Sequence, residues 1–209
     1  MNREWQMQWE NVYGTKQANE VGWTQQKPQS SLNLIHSLDL PKTAKIIDVG
    51  GGDSKLVDHL LDEAFEDLTV LDISSKAIDK ARRRLGDKSE KIKWIVNDVL
   101  DFEPEVVYDL WHDRATFHFF RTVEEIQKYI RLTEQSVSGF LILATFSYKA
   151  PVKCSGFNVH RYNEAELTRR FSNNFQKIRC FTEDHPTPFG TFQNFLFCSF
   201  KRNGATTKG

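Results

Sequence analysis

Short apolar runs alternate with amphipathic stretches along most of this chain, and two spacings recur. Lys45 to Val49 is apolar at its centre, the pattern of a strand buried on both faces. Leu56, Val57, Leu60, Leu61 and Ala64 return at helical spacing and predict a helix over Ser54 to Phe65. A second strand follows at Leu68 to Leu71. The next helix starts at Ser74 or Ser75, either hydroxyl able to cap it, and runs to Leu85 before Gly86 stops it. Trp94 to Val96 and Tyr108 to Trp111 predict two short strands. Val123 to Ser136 carries Ile126, Tyr129, Ile130 and Thr133 on one helical face, and Phe140 to Phe146 is the longest apolar run, hence a central strand. A helix over Asn163 to Phe171 precedes two last strands, Gln176 to Thr182 and Gln193 to Lys201. Only the turn-rich Asp184 to Gly190 separates these two, too little for a parallel crossover, so they pair antiparallel. The alternation predicts an α/β fold: a mostly parallel sheet with helices on both faces.

Composition narrows the partners. Lys plus Arg and Asp plus Glu both number 28, so no net charge draws the chain towards nucleic acid or an anionic membrane. The hydrophobic fraction of 39% is ordinary for a globular chain of 209 residues. Without repeats or a long linker, residues 1–202 read as one domain, with 1–29 as an N-terminal segment and 203–209 as a disordered tail. Cys154, Cys180 and Cys198 are odd in number, far apart and form no CxxC pair, so reduced, buried thiols in a cytosolic protein are expected. The N-terminus has no apolar signal core and no stretch approaches a membrane span, which adds to the cytoplasmic expectation. No His, Asp or Glu cluster has metal-ligand spacing, so no metal is expected.

The candidate chemistry begins where the first strand ends. Gly50-Gly51-Gly52-Asp53 lets the backbone approach a ligand that a Cβ would block. A dinucleotide loop wants a third glycine where Lys55 stands, which leaves an NAD-dependent oxidoreductase as the poorer reading. Asp48 and Asp53 add negative charge that disfavours a pyrophosphate and suits a sulfonium or an α-amino group. Asp72 lies twenty residues after Gly52 at the end of the second strand, placed to accept both hydroxyls of a ribose. The alternative for Asp72 is a cap on the following helix. Asp98, in Asn97-Asp98-Val99, is placed for the exocyclic amine of adenine, or is a solvated turn residue.

These segments, with Leu71-Asp72-Ile73 and Tyr108 to Trp111, resemble the ordered motifs of class I S-adenosylmethionine-dependent methyltransferases over roughly Lys45 to Phe146. The resemblance implies a Rossmann-like, seven-stranded sheet with the last strand antiparallel, and S-adenosyl-L-methionine as cofactor. It implies cofactor contacts from Asp48, Gly50, Gly51, Gly52, Asp72, Ile73, Asp98, Val99 and His112. Trp9, Tyr13 and Trp23 resemble the N-terminal lid of thiopurine-methyltransferase-like enzymes, which covers the cofactor; packing of a helix by Trp5 and Trp9 is the alternative. Asp113 to His118 is similar to Asp-Arg-Ala-x-Phe-His in a bacterial methyltransferase group of unassigned substrate, as are Cys154-Ser155-Gly156 and Arg161-Tyr162. On that basis Asp113, Arg114 and His118 are the candidate catalytic residues, His118 as general base. His118 packed among phenylalanines, and Asp113 paired to Arg114, are the alternatives.

The expected acceptor is a small molecule or, second, a protein side chain, with no nucleic acid: no Asn/Asp-Pro-Pro-Tyr/Phe and no Pro-Cys follows the fourth strand. A non-catalytic S-adenosylmethionine-binding regulatory protein stays open beside the enzyme.

Overall fold

The computed structural model describes residues 3–204; Met1, Asn2 and residues 205–209 of the expected tail lie outside the described residues. The sheet runs β3 (Ile92–Val96), β2 (Asp67–Asp72), β1 (Lys45–Val49), β4 (Tyr108–Arg114), β5 (Val137–Phe146), β9 (Phe192–Arg202), β8 (Phe175–Pro186). The first five are parallel, and the last strand of the chain inserts antiparallel between β5 and β8. It is the seven-stranded sheet expected.

Helices cover both faces. On one, α2 (Gln29–His36) and α3 (Leu56–Asp62) pack with Ile46, Leu68, Leu110, Ile142 and Phe197. On the other, α5 (Val123–Ser136) and α6 (Glu164–Phe171) pack with Ile47, Trp111, Leu141, Leu143 and Phe200. Alternate residues of each strand feed alternate cores, the period-two rule that later decides the site. Helix α4 (Ser75–Leu85) ends at Gly86 as expected, and α5 has the expected bounds.

Three differences have local causes. α2 and the small hairpin β6–β7 (Lys153–Cys154, Phe157–Asn158) were not expected; eight and two residues are too short to show a period. The last two strands run further into the supposed turn region, so β8 takes in Asp184, His185 and Pro186. The thiols are corrected too: Cys180 and Cys198 form a disulfide. β8–β9 register sets them directly opposite with Cα atoms 4.2 Å apart, and Cys154 alone remains a free, buried thiol. No helix of the described residues is long and apolar enough to cross a membrane.

Candidate active site

The chain reverses direction of travel through the sheet between β1 and β4, where loops from neighbouring strands part and leave a crevice. There a cavity of about 320 Å³ opens, lined by the loops after β1, β2, β3 and β4. Gly50 and Gly52 take positive φ, +65° and +38°, which favours glycine. A Cβ on Gly52 would meet Asp72 Oδ2 at 2.7 Å, one on Gly51 Asp48 Oδ2 at 2.6 Å, and one on Gly50 would collide with Thr116 Oγ1. Side chains at these three positions would displace Thr116, Asp48 and Asp72, so glycine lets the loop pack against them, and Gly50 and Gly51 line the cavity.

Asp72 is buried at the end of β2, and its carboxylate accepts the Ser74 N–H at 2.8 Å. Burial pushes its pKa up to about 7, helped by the charges of Asp48 and Glu10 and opposed by the N–H groups of Ser74 and Gly52. The cap of α4 is instead the Ser74 hydroxyl, which accepts the Ala77 N–H. Ile73, Asp98 and Val99 also line the cavity, and Asp98 accepts the Leu100 N–H at 3.0 Å.

Strand parity sorts the remaining candidates. β4 does not stop at Trp111 but continues through Arg114, so His112 and Arg114 point to the cavity side and Asp113 to the opposite core. His112 is no strand-end residue. It sits in register with Asp48 and holds Asp48 Oδ1 at 2.7 Å through Nδ1 and the Ser31 hydroxyl at 2.9 Å through Nε2. Facing a carboxylate, Nδ1 donates to Asp48, and Nε2 shares a hydrogen bond with the Ser31 hydroxyl. Asp48 Oδ2 is left buried without a partner on the cavity wall. Asp53, expected to lend charge to the ligand, is neutralised by Arg84, whose Nε and Nη2 also clamp Asp58 at 2.9 Å.

The structure places Asp113, expected as catalytic, in the core and outside the cavity lining. Its carboxylate accepts the Thr116 N–H (2.8 Å), the Phe117 N–H (3.1 Å) and the Tyr129 hydroxyl (2.5 Å), and burial raises its pKa to about 6 against these bonds. It makes no pair with Arg114, since consecutive strand residues face opposite sides. His118, expected as general base, is also set apart from the cavity. It is wholly buried, outside the cavity lining, with Nδ1 accepting the Phe146 N–H at 3.2 Å. Burial, then the charge of Arg114, depresses its pKa to about 3. Arg114 does line the cavity.

The N-terminal segment lies over the site. Trp9, Tyr13 and Trp23 line the cavity and touch one another edge to face or tilted, with centroids 5.6–6.2 Å apart. Helix α1 (Arg3–Thr15) is held at two places. Glu10 accepts from Ser75 N (2.7 Å), Lys76 N (3.1 Å) and the Ser74 hydroxyl (3.1 Å) at the start of α4. Trp5 stacks on Phe157 with centroids 4.6 Å apart, and Gln8 donates to the Ser155 carbonyl at 2.8 Å. Glu10 and Ser31, whose partners lie far along the chain, and Gln193, which lines the cavity, were not expected from the sequence. Among the described residues no group of three or more His, Cys, Asp or Glu is placed to hold a metal ion.

Residues 47–134 match the family model for a methyltransferase domain. Nodulation protein S of Rhizobium tropici is 35% identical over 94 residues, 45% of this chain and 39% of that protein. The malonyl-(acyl-carrier protein) O-methyltransferase of Anoxybacillus flavithermus is 34% identical over 107 residues, 48% of this chain and 38% of that protein. The matched part is thus less than two-fifths of each of these relatives. The crystal structure of the N-methyltransferase NodS from Bradyrhizobium japonicum with S-adenosyl-L-homocysteine superposes with a TM-score of 0.71 at 15% identity, over 93% of this chain and 98% of that one. The family match begins after the N-terminal segment, so the likeness to a thiopurine-methyltransferase lid rests on that segment's residues alone.

Proposed function

We propose that this chain, which carries a class I S-adenosylmethionine-dependent methyltransferase domain, transfers a methyl group to a small-molecule acceptor enclosed beneath its N-terminal segment. S-adenosylmethionine, the cofactor of this domain family, supplies a methyl group made electrophilic by its sulfonium. The observation that carries the reading is one cavity lined by Gly50, Gly51, Asp72 and Asp48, whose Oδ2 has no hydrogen-bond partner. In this reading Gly50, Gly51 and Gly52 clear room for the cofactor, Asp72 accepts its ribose hydroxyls, and Asp98 accepts its adenine amine. Ile73 and Val99 flank the base. Asp48 Oδ2, held in place by His112, accepts the α-ammonium group. Trp9, Tyr13 and Trp23 offer aromatic faces that attract a cation and exclude water.

Positioning then supplies the acceleration, because transfer needs in-line approach of the acceptor to the methyl carbon. With His118 and Asp113 turned away from the cavity, the reaction uses an acceptor that arrives deprotonated, or one that gives its proton to water. The covering helix favours a small molecule, since a protein side chain would have to thread past α1. Residues 1–202 act as one domain in this reading.

Calorimetry with S-adenosylhomocysteine, S-adenosylmethionine and NAD tests it. Micromolar binding of the first two and none of NAD is expected; preference for NAD would overturn it. A labelled-methyl screen against small-molecule and protein extracts then separates an enzyme from a non-catalytic binder, and label only in protein would remove the small-molecule acceptor.

A further inference from the structure

Two side chains on the acceptor half of the cavity have polar atoms with nothing to bond. Arg114 donates Nη1 to the Trp23 carbonyl at 3.0 Å and lies over the Phe195 ring, 4.5 Å from its centroid. Its Nε and Nη2 are shut from water and have no hydrogen-bond partner. Two carboxylates act on its charge without a hydrogen bond to it: Glu183, which accepts from Ser30, and Asp48, whose Oδ1 is held by His112. Gln193, on the same wall, has a buried amide oxygen without a partner.

A guanidinium paired through one nitrogen inside a protein is a costly arrangement. Its planar fork matches a carboxylate, which takes two parallel N–H bonds. The surrounding walls are aromatic: Trp5, Trp9, Phe119, Phe146 and Phe195 line the cavity. The cofactor's sulfonium brings positive charge beside that of Arg114, and low-dielectric surroundings strengthen the repulsion between two charges that Asp48 and Glu183 only partly offset. An anion balances them.

We propose that the methyl acceptor is an aryl carboxylate, its carboxylate held by Arg114 through Nε and Nη2 and an N–H or O–H held by Gln193. The flat body of such a molecule fits aromatic walls, and the fork is reached when the segment carrying Trp23 lifts. The proposal rests on the methyltransferase reading but fails separately from it.

The test is calorimetry on protein already saturated with S-adenosylhomocysteine, so that loss of the cofactor site is seen first and independently. Anthranilate, salicylate, 4-hydroxybenzoate and indole-3-acetate are each compared with their primary amides. At least one acid is expected to bind tenfold or more tightly than its amide, and Arg114→Gln to shrink that preference to below threefold. Should Arg114→Gln fail to fold, Arg114→Lys, which keeps charge without the fork, replaces it and is expected to lose at least threefold of the preference. Equal binding of acids and amides, a preference that survives substitution, or no binding by any acid overturns the proposal.

Discussion

A carboxyl group raised to about 7 by burial, as that of Asp72 is, spends neutral pH divided between its two forms. Ribose hydroxyls donate, so binding selects the ionised form. In the free protein the raised pKa favours the protonated form, and the stability it lends is present below the ordinary carboxylate range and lost as pH rises through about 7. The cofactor reverses that preference. Affinity for S-adenosylhomocysteine is therefore expected to rise between pH 6 and 8 and then level off, while Asp72→Asn gives a flat profile. Asp72→Ala is expected to weaken binding by roughly tenfold or more, the scale of a hydrogen bond to a charged group. Calorimetry across that pH range checks both. Asp72 and the glycines were legible because their spacing is local and their chemistry specific. The burial of Asp113 was not legible because the fourth strand was ended three residues early, at Trp111 rather than Arg114. Extended by those three, alternation alone would have turned Asp113 into the core and left His112 and Arg114 facing the cavity.

Single elements hang on few bonds. The loop after β4 is pinned by Asp113, whose three partners all donate. Asp113→Asn turns an amide nitrogen towards donors, so a loss of about 2 kcal/mol is expected, a fall in Tm of roughly 5 °C, read by calorimetric melting. Helix α1 depends on Glu10, which accepts the Ser75 and Lys76 N–H groups of α4 beside that helix's own Ser74 cap. Burial opposes ionisation of Glu10, but its bonds to Ser74, Ser75 and Lys76 outweigh it and leave its pKa lowered. Its hold is thus present above the ordinary glutamate range and lost as pH falls through it. Glu10→Ala is expected to weaken S-adenosylhomocysteine binding about tenfold with little change in Tm; a large Tm loss with unchanged affinity would place Glu10 in the core's stability instead. None of this was visible in the sequence, where a glutamate on a polar helix face is common and its partners lie 64 or more residues away.

Across the whole molecule, the strand-helix alternation already implied the parallel half of the sheet, and the short connection implied the closing hairpin. Spacing cannot say that β9 slips between β5 and β8, since order in a sheet comes from which edges find each other in space. The hairpin carries the disulfide, which a count of three cysteines hid. Cys180 and Cys198 are separated by 18 positions, and closing a loop of that size in the unfolded chain is worth about 3 kcal/mol. Cys180→Ser with Cys198→Ser, or dithiothreitol, is expected to lower Tm by roughly 5–10 °C, with equal melting of both forms the contrary result.

The two-point attachment of α1, to the start of α4 and to the β6–β7 hairpin, also governs timing. A roof fastened on both sides would slow whatever must pass beneath it. Loosening one fastening, as Glu10→Ala does, is then expected to raise turnover if departure of products is the slow step, and to leave it unchanged if transfer itself is slow.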